Sequence, residues 1–169
     1  MADFVTTNLK LSKIALLYVN NDWGVGITAV FKEDVLKHNC KITSEESFEP
    51  GTNNFRAQLG KIKKSNPDAI YIIGYIKELL PLVRQKEELG IKATILSSYG
   101  FYDEQLLKDA SRAVEGSIFT VPTYDTAASD PVTQKFVSKY KKKYNIAPDI
   151  WSAQAFDAFN IIATVIRVC

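Results

Sequence analysis

The chain has 169 residues, 46% of them apolar and 24% charged, with a formal net charge of +2. That length allows one domain, or one domain and a fragment of a second, and the composition excludes disordered and collagen-like chains. So small a net charge gives no overall attraction to nucleic acid or to a membrane surface.

Met1 to Thr7 has neither a basic n-region nor an apolar h-region, and no apolar run is long enough to cross a membrane. The expectation is either a cytosolic protein or an exported one that has been cut and given a fresh start codon. The stretch Ile161 to Cys169 favours the cut, because it reads as a helix without the usual Gly or Asn at its end. Two cysteines, Cys40 and Cys169, define neither a disulfide framework nor a metal spacing.

Lys13 to Gly26 organises the rest. The apolar run Ile14 to Val19 stops at Asn20-Asn21-Asp22, and a glycine-bracketed turn leads into helical periodicity, with Ile27, Phe31 and Val35 on one face. A buried strand feeding a loop and a helix is the opening unit of a parallel α/β sheet. The tight turn implies Asp22 as the helix cap, and the helix should end near Asn39. Lys41 to Phe48 alternates loosely and reads as an edge strand. Pro50 to Asn54 is a loop whose Thr52 to Asn54 cap a helix with Phe55, Leu59 and Ile62 on its apolar face.

Asn66-Pro67-Asp68 opens a third strand, Ala69 to Ile73, apolar enough to be central. Pro81 requires the following helix to begin near Lys77, which leaves Tyr75 in the loop at the strand's carboxyl end. That helix turns Leu79, Leu80 and Val83 inward and stops at Leu89-Gly90. Thr94 to Leu96 is a short fourth strand ending in Ser97-Ser98-Tyr99-Gly100, followed by a helix around Asp103 to Asp109 and a turn near Gly116. Ser117 to Val121 is a fifth strand. The alternation with brief connections predicts a doubly wound, three-layer α-β-α fold on a parallel sheet.

Beyond Tyr124 the pattern changes to helices alone. Asp130-Pro131 starts one with Val132, Phe136, Val137 and Tyr140 on its apolar face. Pro148-Asp149 opens another, with Trp151, Ala155, Phe159, Ile162 and Ile166. These two extra C-terminal helices need a partner surface that the chain need not contain.

Ligands of parallel α/β sheets bind outside the carboxyl ends of the strands. Trp23, Tyr75 and Tyr99 each stand just past a different strand, and together make an amphipathic wall able to stack on an organic solute. Asp22-Trp23-Gly24-Val25-Gly26 is a poor phosphate loop: the full glycine-rich patterns are absent and an acidic residue precedes Gly24. His38, the lone histidine, suits a solvated helix end, so histidine-dependent triads have no support. Cys40 has no neighbours that would depress its pKa. Lys139 to Lys143 suits a solvated helix terminus rather than nucleic acid, and Glu45-Glu46 and Glu87-Glu88 suit exposed faces. The residues therefore point to no catalytic residue, no metal and no cofactor.

Five phrases, in order and spacing, carry a family resemblance: KIALLYVNNDWGVG, SFEPGTNNFRAQLGKIKKSNPDAIYIIGY, GIKATILSSYGFYDE, AVEGSIFTVPTY and IWSAQAFDAFNII. The chain resembles type I periplasmic solute-binding proteins of the Leu/Ile/Val-binding class, the extracytoplasmic receptors of branched-chain amino-acid ABC importers. That resemblance implies two α/β lobes closing like a hinge on a small solute such as an amino acid or organic acid, and an ABC permease as partner. Residues 1 to 122 correspond to the second lobe, and 123 to 169 to a crossover and helices of the other lobe, with the remainder missing. It implies an extracytoplasmic location and ligand contacts from Trp23, Tyr75 and Tyr99. At the Tyr99 position amino-acid-binding members often place a carboxylate for the ligand's ammonium, whereas Ser97, Ser98 and Tyr99 are uncharged. Either Asp22 or Asp103 then supplies the charge, or the solute is not an α-amino acid. Two other classes share the fold: the ligand-sensing domain of a signalling receptor, and a flavodoxin-like enzyme using nucleotide or flavin. The apolar last helix, deprived of its lobe, is expected to pack back on the sheet or to drive dimerisation.

Overall fold

The computed structural model describes residues 1–110 and 112–168, with Glu104 described through its backbone alone. The chain forms two compact units, Met1–Val121 and Pro122–Cys169.

The first unit is built on five parallel strands: β1 (Lys13–Val19), β2 (Lys41–Phe48), β3 (Ala69–Ile73), β4 (Thr94–Ser97) and β5 (Ile118–Phe119). Their order across the sheet is β2-β1-β3-β4-β5, so β1 and β3 lie in the interior. Both are apolar because both of their faces are covered. Ile14 to Leu17, Val19 and all of β3 are buried. From β1 the chain steps outward to β2, then returns across the sheet to β3, which places the reversal of direction between β1 and β3.

Alternating side chains feed two core layers. One packs Ile14, Leu16, Ala69, Tyr71, Ile73 and Leu96 against Phe31 and Val35 of α1 (Asp22–Lys37). The other packs Ala15, Leu17, Val19, Ile70, Ile72 and Ile95 against residues of α2 (Arg56–Ser65), α3 (Ile76–Glu88) and α4 (Glu104–Asp109). Tyr71 is buried with its ring stacked on Phe31 at 3.8 Å, and burial pushes its phenol up to about 12.

Several expectations are corrected. The cap of α1 is Asn21, whose Oδ1 accepts from the Gly24 N–H; Asp22 is the first helical residue. The helix expected near Lys77 is α3, which begins at Ile76, but Pro81 falls within its body rather than its first turn. Packing of Leu79, Leu82 and Val83 carries the helix through a defect that costs ~3 kcal/mol in an isolated one. Leu80 is only partly buried, and Leu82 takes the inward place assigned to it. Phe55 occupies the cap position of α2 without a side-chain cap there, and Asn54 Oδ1 accepts from the Arg56 N–H. β5 is two residues long instead of five, because it pairs only with Leu96 and Ser97 at the end of β4. A π-helical turn, Phe4–Asn8, buries Val5 and was not expected from Met1 to Thr7.

The second unit consists of α5 (Pro131–Tyr144) and α6 (Ile150–Val168). Asp130 caps α5 through the Thr133 N–H, with Pro131 in the first turn. Phe136 and Val137 are buried, and Phe136 stacks on Phe156 at 4.5 Å. Val132, expected on the apolar face, is exposed. Cys169 lies outside the described residues.

Two predictions follow from the seating of α1 on β1. A Cβ on Gly24 would stand 2.1 Å from the Val19 carbonyl oxygen, whereas one on Gly26 meets nothing within 4 Å. Gly24→Ala is expected to destabilise the fold by about 3 kcal/mol, and Gly26→Ala to stabilise it by roughly 0.5–1 kcal/mol by removing helical glycine entropy. Urea unfolding of the two variants checks both signs.

A third concerns Asp68, whose Oδ2 accepts from the Ser12 N–H at 3.1 Å and the Lys13 N–H at 2.9 Å. Burial opposes ionisation, but the backbone donors, the Ser12 hydroxyl and Lys13 outweigh it and hold the carboxyl below its usual range. A group with a depressed folded pKa contributes stability that is present above its unfolded value of about 3.9 and lost as pH falls toward the folded one. Asp68→Asn should therefore shrink the acid-side loss of stability in thermal melts taken from pH 6 downward.

Candidate functional site

The carboxyl ends of β1, β3 and β4 carry the candidate residues onto one rim. Asn20 follows β1; its N–H donates to the Phe48 carbonyl at 2.7 Å and its Nδ2 to Glu49 Oε1 at 2.7 Å, tying the ends of β1 and β2 together. Asn21 then takes extended backbone and uses both halves of its amide. Oδ1 accepts from the Gly24 N–H at 2.8 Å, and Nδ2 donates to the Tyr75 hydroxyl at 3.1 Å.

Trp23, in the first turn of α1, stacks on Tyr75 with ring centroids 5.0 Å apart and planes 28° apart. Tyr99 tilts against the same indole at 6.2 Å and 58°. The three rings thus meet, with Trp23 in the middle and packed against both core layers. Tyr75 occupies the cap position of α3 in extended backbone and is 46% exposed. Tyr99 opens a 3₁₀ turn, Tyr99–Phe101, immediately after β4. A Cβ on Gly100 would lie 3.0 Å from the Gly74 carbonyl oxygen, so the loops after β3 and β4 touch through backbone. Ser97 and Ser98 are buried, and the Ser97 hydroxyl donates to the Ile72 carbonyl at 2.7 Å.

The two candidate acids behave differently from the rings. Asp103 caps α4, its Oδ1 accepting from the N–H groups of Gln105 at 2.8 Å and Leu106 at 2.9 Å. Asp22 is exposed in the first turn of α1. Sequence reasoning missed Asn21, although an amide three residues before Gly24 is a recognisable cap, and it missed the backbone contact at Gly100. Nothing in the local pattern signals that second contact, because it joins loops from two strands.

The remaining candidates fall away from this rim. The Gly24 N–H is held by Asn21 Oδ1 and the Val25 N–H by the Asn21 carbonyl, so the turn offers neither donor to a phosphate. His38 Nε2 lies 3.1 Å from Asp3 Oδ1 at the exposed end of α1. Cys40 is buried, with Sγ on the Leu11 carbonyl at 3.0 Å, and burial, then Asp68, pushes its thiol up. Glu45, Glu87 and Glu88 are exposed and pair with Lys32, Arg112 and Arg56, while Glu46 is mostly buried against Lys61 at 2.8 Å. Among the described residues no group of three His, Cys, Asp or Glu could hold a metal, and no helix is long and apolar enough to cross a membrane.

The Asn21–Tyr75 bond yields a testable prediction. Asn21→Ala should cost about 1–2 kcal/mol through the lost cap and the lost donor, and Tyr75→Phe roughly 0.5–1 kcal/mol with the stack retained. The double variant should cost less than the sum, by roughly 0.5 kcal/mol or more, in a urea double-mutant cycle.

Comparison with known proteins bears on what this rim does. The profile of the periplasmic binding protein family matches residues 1–168. The chain is 26% identical over 162 residues to the Leu/Ile/Val-binding protein homolog 3 of Brucella melitensis, covering 96% of this chain and 43% of that protein. A crystal structure of a leucine binding protein from Thermotoga maritima superposes with a TM-score of 0.88 at 33% identity, covering 99% of this chain and 48% of the other. A branched-chain amino acid transporter substrate binding protein from Streptococcus pneumoniae, in complex with isoleucine, gives 0.80 at 27% identity over 96% of this chain and 47% of the other. The chain spans less than half the length of each of these relatives.

Proposed function

The chain belongs to the periplasmic binding protein family, and from that premise we propose that it is one lobe, with part of the return to the other, of an extracytoplasmic receptor that delivers a small organic solute to an ABC permease. The relatives it matches are binding proteins rather than enzymes. In this reading residues 1 to 122 form the lobe that supplies the ring-lined face, and 123 to 169 form a crossover and two helices of the other lobe. The observation that carries it is the convergence of Trp23, Tyr75 and Tyr99 beside the point where the strand order reverses, where open α/β sheets bind ligands. Amino acids or related small organic solutes are the class such a receptor carries.

The mechanism is a population shift. A solute that touches both lobes only when they are closed stabilises the closed state by its differential contacts, and the permease reads the closure. With half a cleft, this chain should bind leucine, isoleucine or valine no better than in the millimolar range. Isothermal calorimetry checks this, and sub-micromolar affinity of the 169-residue chain alone would overturn the half-cleft reading.

The same reading assigns a partner surface to α6. Phe159, Ile162 and Ile166 are 68%, 58% and 72% exposed, an apolar stripe of the kind that marks an interface. In the longer receptor the rest of the other lobe covers it. The isolated chain should then self-associate through α6 and lose that tendency when cut after Tyr124. Light scattering that finds both forms monomeric would overturn this.

A further inference from the structure

A buried amine lies before the amino end of β4, at the end of the sheet away from the aromatic rim. Lys86, in the last turn of α3, is 9% exposed, and its Nζ donates to the Ile91 carbonyl at 3.0 Å. Among the described residues no carboxylate pairs with it; the adjacent Glu87 gives Oε1 to Arg112 Nε at 3.3 Å. A buried ammonium without a counter-ion is costly, and a lysine relieves that cost by shedding its proton. The end of α3 does not depend on that charge either. Lys63 Nζ donates to the Leu89 carbonyl at 2.7 Å and supplies a cation there.

Lys86 lines a cavity of about 470 Å³ together with Glu87, Ile91, Lys92, Arg112 and Glu115. That is room for a small molecule. Burial first, and then the Lys92 cation, lower the Lys86 amine from the usual lysine range, against the opposing pull of Glu87. Removal from water and a neighbouring cation are the two conditions that make a lysine a nucleophile, and here they meet at an amine with a cavity beside it. The bond to Ile91 uses one hydrogen of the nitrogen, so it orients the neutral amine and leaves the lone pair free. Of the other charged groups on the cavity wall, Glu87 and Arg112 are taken by each other, Glu115 is exposed, and Lys92 is exposed with no ion-pair partner among the described residues.

We propose that Lys86 is a site of reversible imine formation with small aldehydes that carry an acidic group, the carbonyl carbon meeting Lys86 Nζ and the anion lying toward Lys92. The lone pair of the neutral amine forms the C–N bond, the carbonyl oxygen leaves as water with the nitrogen's two hydrogens, and nothing is oxidised or reduced. Addition of water restores the free amine. The site lies within the unit Met1–Val121 and does not depend on the solute face described above.

The test treats the 169-residue chain with glyoxylate at neutral pH, with cyanoborohydride present to reduce any imine to a stable carboxymethyl amine, and follows each lysine by peptide mass spectrometry. Lys86 is expected to be marked about tenfold faster than the exposed Lys92. Glycolaldehyde, of similar size but uncharged, should mark Lys86 more slowly, each rate being taken relative to the exposed lysines of the same chain. Lys92→Gln should remove the advantage of glyoxylate. Marking of Lys86 no faster than of Lys92, or of all lysines alike, would overturn the reactive amine. Equal relative rates for the two aldehydes, or an advantage that survives Lys92→Gln, would overturn the acidic class.

Discussion

The site depends on one close approach. The Val19 carbonyl oxygen, at the end of β1, occupies the space a side chain on residue 24 would need, so the first turn of α1 sits directly on the strand it follows. That seating sets where the next-door residue goes. With the first turn seated so low, the Trp23 indole packs against both core layers instead of standing out over solvent. Asn21 completes the turn from the other side, closing the helix with its oxygen and reaching Tyr75 with its nitrogen. A second backbone approach, Gly100 on Gly74, brings the loop after β4 within reach of the same indole. Two glycines and one amide thus convert three strand ends into one surface.

Much of this was legible in the residues. β1 and β3 read as buried strands because a strand covered on both faces has nowhere to put a polar side chain, and β2 read as an edge because Glu45 and Ser47 have solvent to face. The meeting of Trp23, Tyr75 and Tyr99 was legible for a geometric reason: parallel strands end on the same side, so the residue after each end lands on a common rim. What escaped was whatever depends on tertiary contact. Local pattern does not separate Asn21 from Asp22, since both are good caps; only the amide of Asn21 can accept from the Gly24 N–H with its oxygen and also donate to Tyr75 with its nitrogen. Pro81 constrains the helix start in the sequence because local propensity counts its lost hydrogen bond but not the burial of Leu79 before the defect and of Leu82 and Val83 after it. β5 looked longer because Ser117 to Val121 favours extended structure, while the partner strand offers only Leu96 and Ser97 for pairing.

The second unit shows the same limit in reverse. The sequence pattern of α6 is apolar at a helical spacing, and the structure leaves that stripe uncovered. A helix carrying so much apolar surface gains little from its own hydrogen bonds in water and draws its stability from packing, so a partner is implied by the helix itself. The relatives, each more than twice as long as this chain, have the additional length from which such a partner is built.

The arrangement of the rings bears on how a receptor of this kind would use binding energy. Trp23 and Tyr75 stack on each other, and Asn21 tethers Tyr75, within the fold of one unit. A face held together by such internal contacts loses little side-chain freedom on binding, so less of the interaction is spent on ordering it. What remains is available to whichever step depends on contacts with a second lobe. In a two-state receptor only that differential part shifts the equilibrium toward closure, and contacts made equally in the open and closed forms raise affinity without signalling. Rings fixed by the fold of one lobe make their contacts in either state. In the receptor proposed above, such rings would select the solute, and the work of closing would fall to groups on the opposite side of the cleft.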